Sequence, residues 1–171
     1  ATPDNYMEIR QELHEDVLNS KTELVNLTKQ FKKILKRDLG LIEEYKTKDA
    51  STVLVAMGSV CGTIKEVIDQ QRKKGKKVGL IKITALRPWP EQEIIKALAK
   101  TKYVAVVDKS ISLGDSGILS TELKRSAYKN LDAKIQSFIV GLGGRDVSHK
   151  MVEKIIIQVK AKDNSTKFIG R

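Results

Sequence analysis

The chain has 171 residues, 40% of them hydrophobic and 5% aromatic, and 32 Lys/Arg against 21 Asp/Glu give it a formal net charge of +11. A lone cysteine, Cys61, excludes a disulfide framework, a zinc site or an iron–sulfur cluster built from this chain's own thiols. No stretch approaches the roughly 20 apolar residues of a membrane helix, and no signal peptide is evident, so a cytoplasmic, reduced setting is expected.

Ala1 in place of an initiating methionine points to processing or to a fragment. The length suits one domain with an appended element. Residues 1–50 hold nine Lys/Arg and ten Asp/Glu, whereas residues 51–171 hold 23 and 11, so the basic excess belongs to the second part. Such a part can attract nucleic acid, an acidic protein or a phosphorylated small molecule, and charge sign does not choose among them.

Residues 4–37 contain no Gly or Pro, and Tyr6, Ile9, Leu13, Val17, Leu24, Leu27, Phe31 and Ile34 recur at steps of three and four, with Ser20 in the gap. This is a helical stripe, started by Pro3-Asp4 and stopped by Gly40. A continuous helix would be roughly 50 Å long and would reach past its own domain, so Leu24 and Leu27 are candidate docking positions on the domain or on another subunit. Two shorter helices broken near Asn19-Ser20 fit the same pattern.

From residue 41 strands and helices alternate. Residues 41–45 suit an edge strand, and the β-branched run 52–57 suits a strand buried on both faces. A turn at Gly58–Thr63 leads into a helix over 63–74, capped by Gly75. Further strands are expected at 77–83, 103–107 and 136–140, with helices over 91–100, 117–129 and 149–160, the last capped by Ser148. Residues 162–171 read as a loose polar tail. The organisation is therefore a helical docking segment (1–40), an α/β domain (41–161) and the tail. Alternation of this kind implies right-handed crossovers and a largely parallel sheet in a three-layer sandwich. Ligands or partners then meet the loops at the carboxyl ends of the strands: 58–63, 84–90, 108–116 and 141–147.

Gly58–Thr63 has neither the lysine of a P-loop nor the G-x-G-x-x-G spacing, and a tight turn capped by Ser59 or Thr63 accounts for it. Cys61 lies in this turn without a base nearby, since His14 and His149 are far away in sequence, and reads as a small residue that fits. Asp108, Asp115 and Asp146 could converge on a divalent ion at the strand ends, a generic arrangement. The run Arg72–Lys77 reads as a solvated helix end without the exposed aromatics of a nucleic-acid site. Trp89, between two prolines, is either a packed anchor or an interface residue. Gly141, Gly143 and Gly144, followed by Arg145 and Asp146, suggest close backbone approach and an ionic contact with a neighbour.

Five segments then fall in a recognisable order: Leu41–Lys46, Met57–Thr63, Arg87–Pro90, Asp108–Gly114 and Ile139–Val147. Together they resemble the carboxyl-terminal part of the alpha subunit of pyruvate:ferredoxin oxidoreductases (pyruvate synthases) and related 2-oxoacid:ferredoxin oxidoreductases. The resemblance implies a fold like the transketolase carboxyl-terminal domain, with a five-stranded sheet whose antiparallel edge strand is 41–46. It implies an assembly with other subunits, of beta, gamma and delta type, that oxidatively decarboxylates pyruvate on thiamine diphosphate. Electrons would pass through [4Fe–4S] clusters to ferredoxin or flavodoxin, and acetyl-CoA would form from coenzyme A. No G-D-G…N thiamine motif occurs in this sequence, so the expected role is accessory, with no catalytic, cofactor-binding or metal-binding residue of its own. Interface candidates are Gly141, Gly143, Gly144, Arg145, Asp146, Arg87, Trp89, Ser110, Leu24 and Leu27. The alternative is an independent basic module for an acidic protein or, less favoured, nucleic acid.

Overall fold

The computed structural model describes residues 2–36, 39–161, 163 and 165–170. Helix α1 (Pro3–Leu35) is continuous through Asn19-Ser20. Pro3 occupies the first helical position, where its missing N–H is no loss, and the Thr2 N–H donates to Asn5 Oδ1 at 3.0 Å. Ser20 and Thr28 donate their hydroxyls back to the carbonyls of Val17 and Val25, which keeps both polar groups bonded within the helix. The helix ends at Leu35, ahead of Gly40, where Lys36 turns left-handed.

Strands β1 (Ile42–Tyr45), β2 (Thr52–Met57), β3 (Val78–Ile83), β4 (Tyr103–Asp108), β5 (Lys134–Val140) and β6 (Lys167–Ile169) form one sheet in the order β1-β3-β2-β4-β5-β6. All neighbours are parallel except β1 on β3, as expected of the 41–46 edge. Helices α2 (Val60–Lys73) and α5 (His149–Gln158) cover one face, and α3 (Glu91–Leu98) and α4 (Ile118–Ala127) cover the other. The strands supply both cores by alternation: Leu54, Ala56, Ala105, Val107, Phe138 and Val140 face α2 and α5, while Val53, Val55, Val104 and Val106 face α3 and α4.

Four expectations are corrected. The sheet has six strands instead of five, and the supposed loose tail contains the sixth. Residues 162, 164 and 171 of that tail lie outside the described residues. Ile169 is buried in the α2/α5 core, and the Gln136 side-chain amide donates to the Ser165 carbonyl, so tertiary contacts hold a segment whose composition is polar. The helix after Gly58 also begins earlier, at Val60, and Ser59 at its cap position makes no side-chain capping bond.

Within the basic run, Arg72 is structural. It donates to the carbonyls of Val78 (2.7 Å) and Lys46 (2.6 Å) and to the Asp49 carboxylate (2.8 Å), tying α2 to the β1–β2 turn.

Candidate interface at the carboxyl edge of the sheet

The chain crosses over from β3 to β4 past β2, so the sheet reverses its winding between β2 and β4. The crevice outside the carboxyl ends at such a reversal is where open α/β sheets meet ligands. Here it is a cleft of about 350 Å³ lined by Ser59, Val60, Thr63, Lys109, Gly144, Arg145, Asp146 and Val147.

Each lining residue is placed by the fold. Gly141 adopts φ +60°, and a Cβ there would lie 3.0 Å from both the Arg145 carbonyl and Lys109 Cε, so this glycine lets the β5 loop fold back beneath the Lys109 stem. Leu142–Gly144 form a single 3₁₀ turn, with Gly143 and Gly144 at φ +64° and +79° and open space where their side chains would be. Arg145 is exposed and uses one of its donors, Nη1, on the Gly170 carbonyl at 3.3 Å. It does not pair with Asp146. Among the described residues neither Lys109, Arg145 nor Asp146 forms an ion pair.

The other candidates lie apart from this cleft. Trp89 is half-buried against the α3/α4 core, and its indole N–H donates to Ser126 Oγ at 2.8 Å, so it anchors the loop within the fold. Arg87 is exposed and pairs with Glu122. Ser110 is half-buried at the end of β4. Leu24 is half-buried and Leu27 is 40% exposed on α1, which has no fully buried residue.

Asp108, Asp115 and Asp146 do not converge, and no group of three or more His, Cys, Asp or Glu suited to a metal occurs among the described residues. Asp108 instead caps α4: its carboxylate accepts the N–H of Leu119 (3.0 Å) and Ser120 (3.2 Å). Burial raises its pKa, and the two amide bonds partly oppose that. Cys61 is buried, and burial pushes its thiol up to about 11, with Lys82 and Lys65 pulling the other way. A protonated, enclosed thiol is neither a nucleophile nor a ligand, so these residues do not fit an iron–sulfur cluster.

The same edge exposes apolar side chains that the sequence pattern did not single out. Met57 ends β2 at 43% exposure, and Leu113 stands 89% exposed in the β4–α4 loop. Lys109 was also missed, although it directly follows Asp108 at a strand end, which is the local signal for a group facing this crevice.

The profile of the family described as pyruvate:ferredoxin oxidoreductase core domain II matches residues 50–152. Pyruvate synthase subunit PorA of Methanothermobacter thermautotrophicus is 42% identical over 98% of this chain and 43% of its own length. The PorA subunit of Methanocaldococcus jannaschii is 45% identical over 99% of this chain and 44% of its own length. Ketoisovalerate oxidoreductase subunit VorA of Pyrococcus horikoshii is 36% identical over 98% of this chain and 43% of its own length. The chain thus spans less than half the length of these curated relatives. A solved 2-oxoglutarate:ferredoxin oxidoreductase from Magnetococcus marinus, with 2-oxoglutarate, coenzyme A and succinyl-CoA bound, shares the fold at TM-score 0.55 and 17% identity, over 93% of this chain and 24% of that one. The profile match, which covers more than half of the chain, shows that the chain belongs to the pyruvate:ferredoxin oxidoreductase core domain II family.

Proposed function

We propose that this chain is the accessory, assembly-forming domain of the alpha subunit of a pyruvate:ferredoxin oxidoreductase. The whole complex would oxidatively decarboxylate pyruvate to acetyl-CoA and CO₂, with thiamine diphosphate and [4Fe–4S] clusters held by other domains or subunits, and would pass electrons to ferredoxin or flavodoxin. The family match over residues 50–152 carries this reading. The geometry supports an assembly role: Lys109 and Arg145, without an ion-pair partner among the described residues, positive-φ glycines open to approach, and exposed Met57 and Leu113 all sit on one edge of the sheet. A glycine loop lets another backbone come close, and an Arg beside it offers a bidentate fork to an acidic group. Pyruvate is preferred as substrate because the relatives at 42% and 45% identity are pyruvate synthase subunits.

The test is co-expression of the full alpha subunit, with and without this segment, alongside its partner subunits. The segment should be required for co-purification and for CoA-dependent oxidation of pyruvate. An assembled enzyme that turns over normally without it would overturn the assembly role, and preferential oxidation of ketoisovalerate would overturn the substrate.

A further inference from the structure

We propose that the cleft between the β2–α2 turn, Lys109 and the β5–α5 loop binds a phosphate group of a small phosphorylated molecule. The proposal shares residues with the contact surface proposed above and rests on that reading only in taking this edge as functional.

Three observations carry it. The cleft, about 350 Å³, lies within the range of small-molecule sites, roughly 300–1,000 Å³. Two cations enter it from different loops, and neither Lys109 nor Arg145 has a carboxylate partner among the described residues. Gly141 makes room for both, because a Cβ there would lie 3.0 Å from Lys109 Cε and equally close to the Arg145 carbonyl, so the glycine lets the Lys109 stem and the Arg145 backbone approach each other. Arg145 donates a single N–H, to Gly170, leaving the rest of a five-donor guanidinium for a tetrahedral anion. Ser59 and Thr63 also line the cleft, and neither hydroxyl has a hydrogen-bond partner among the described residues. Asp146 is the opposing group: it lines the same cleft, and its negative charge works against an incoming anion.

The experiment uses the 171-residue chain, followed by amide ¹H–¹⁵N spectra during titration with inorganic pyrophosphate, orthophosphate and adenosine 5′-diphosphate at constant ionic strength. Saturable shifts are expected at 59–63, 109 and 143–147. Lys109→Gln and Arg145→Gln should each weaken binding by about tenfold, Lys109→Arg should retain it, and Asp146→Asn should tighten it. Binding of the inorganic ions without the nucleotide assigns the site to free phosphate, and binding of all three assigns it to the phosphoryl group of a larger molecule; both support the proposal. It is overturned if no probe gives localised shifts, if shifts follow the exposed lysines at 73–77, or if the Gln variants bind as wild type. These outcomes are read without partner subunits, so the proposal can fail while the assembly role stands, and the assembly role can fail while the cleft still binds phosphate.

Discussion

Cys61, in the first turn of α2, and Asp108, at the end of β4, are both buried, and their surroundings assign them opposite duties. The Cys61 thiol has no base to activate it, and burial holds its pKa at about 11 against an ordinary value of 9.0. The folded state therefore favours the protonated thiol. That stabilising contribution is fully present below pH 9 and is lost as pH rises through 11, because only the unfolded chain ionises early. The stability gap between wild type and Cys61→Ser, read from denaturant midpoints, should shrink between pH 8 and pH 10.5; a constant or widening gap would contradict this. Asp108 works by accepting two N–H groups at the start of α4. A Cβ on Gly117 would lie 2.0 Å from its Oδ2, so the glycine exists to admit the carboxylate. Asp108→Ala should cost about 1–3 kcal/mol by orphaning two buried donors, and Gly117→Ala a similar amount through overpacking, both measurable by thermal melts. The duty of Asp108 was not legible in the sequence. Asp108 reads there as one more acid at a strand end, because its partners lie eleven and twelve residues away on an element whose docking the residues do not announce. Cys61 was legible as a small turn residue, since the absence of a nearby histidine is itself sequence information.

At the scale of elements, the strands and helices with internal pattern were legible and those held only by tertiary contact were not. The run 52–57 matches β2 residue for residue, because a short run of β-branched and apolar residues bounded by turn signals suits a central strand, and its first five residues are buried. Strand β6 has three residues beside a polar stretch and no periodicity to reveal it; pairing to β5 and burial of Ile169 create it. Helix α1 was legible as a stripe, yet the stripe does not say what covers it. Val17, Ser20, Lys21, Leu24, Val25 and Thr28 are half-buried in the middle of the helix, and Lys21 pairs with Glu93 on α3 at 3.0 Å. Tyr6, Leu13, Phe31 and Ile34 remain exposed toward the two ends. Leu24→Asp should therefore loosen α1 from this chain, exposing residues 3–35 to limited proteolysis, whereas Leu27→Asp should leave the digestion rate near wild type. Equal protection of the two variants would show that α1 is not held through its central patch. Lys21→Ala should change stability by less than about 1 kcal/mol, because the pair is partly exposed and screened.

Across the whole molecule, the residues with established internal duties separate from those left facing outward. Arg72, Trp89 and Asp108 are consumed by the fold, while Lys109, Gly143, Gly144, Arg145 and Asp146 sit on one edge with few or no internal bonds. The sequence made the glycine-rich loop conspicuous but could not show that Gly141 serves the domain itself and that Gly143 and Gly144 face open space. That distinction shapes the test, since a β-branched residue at φ +64° would strain the loop by itself, whereas asparagine tolerates the left-handed region and adds bulk only outward. Arg145→Ala should cost about 2–5 kcal/mol of subunit association if its partner is a buried carboxylate, with the melting of the isolated chain nearly unchanged. The most direct measurement is the subunit association equilibrium of the full alpha subunit carrying Gly143→Asn, set beside wild type, with thermal melts confirming an intact fold. If this edge is the contact surface of the assembly, association weakens by about tenfold or more, equivalent to roughly 1.4 kcal/mol, while the melting temperature holds. Association within about twofold of wild type would contradict that claim.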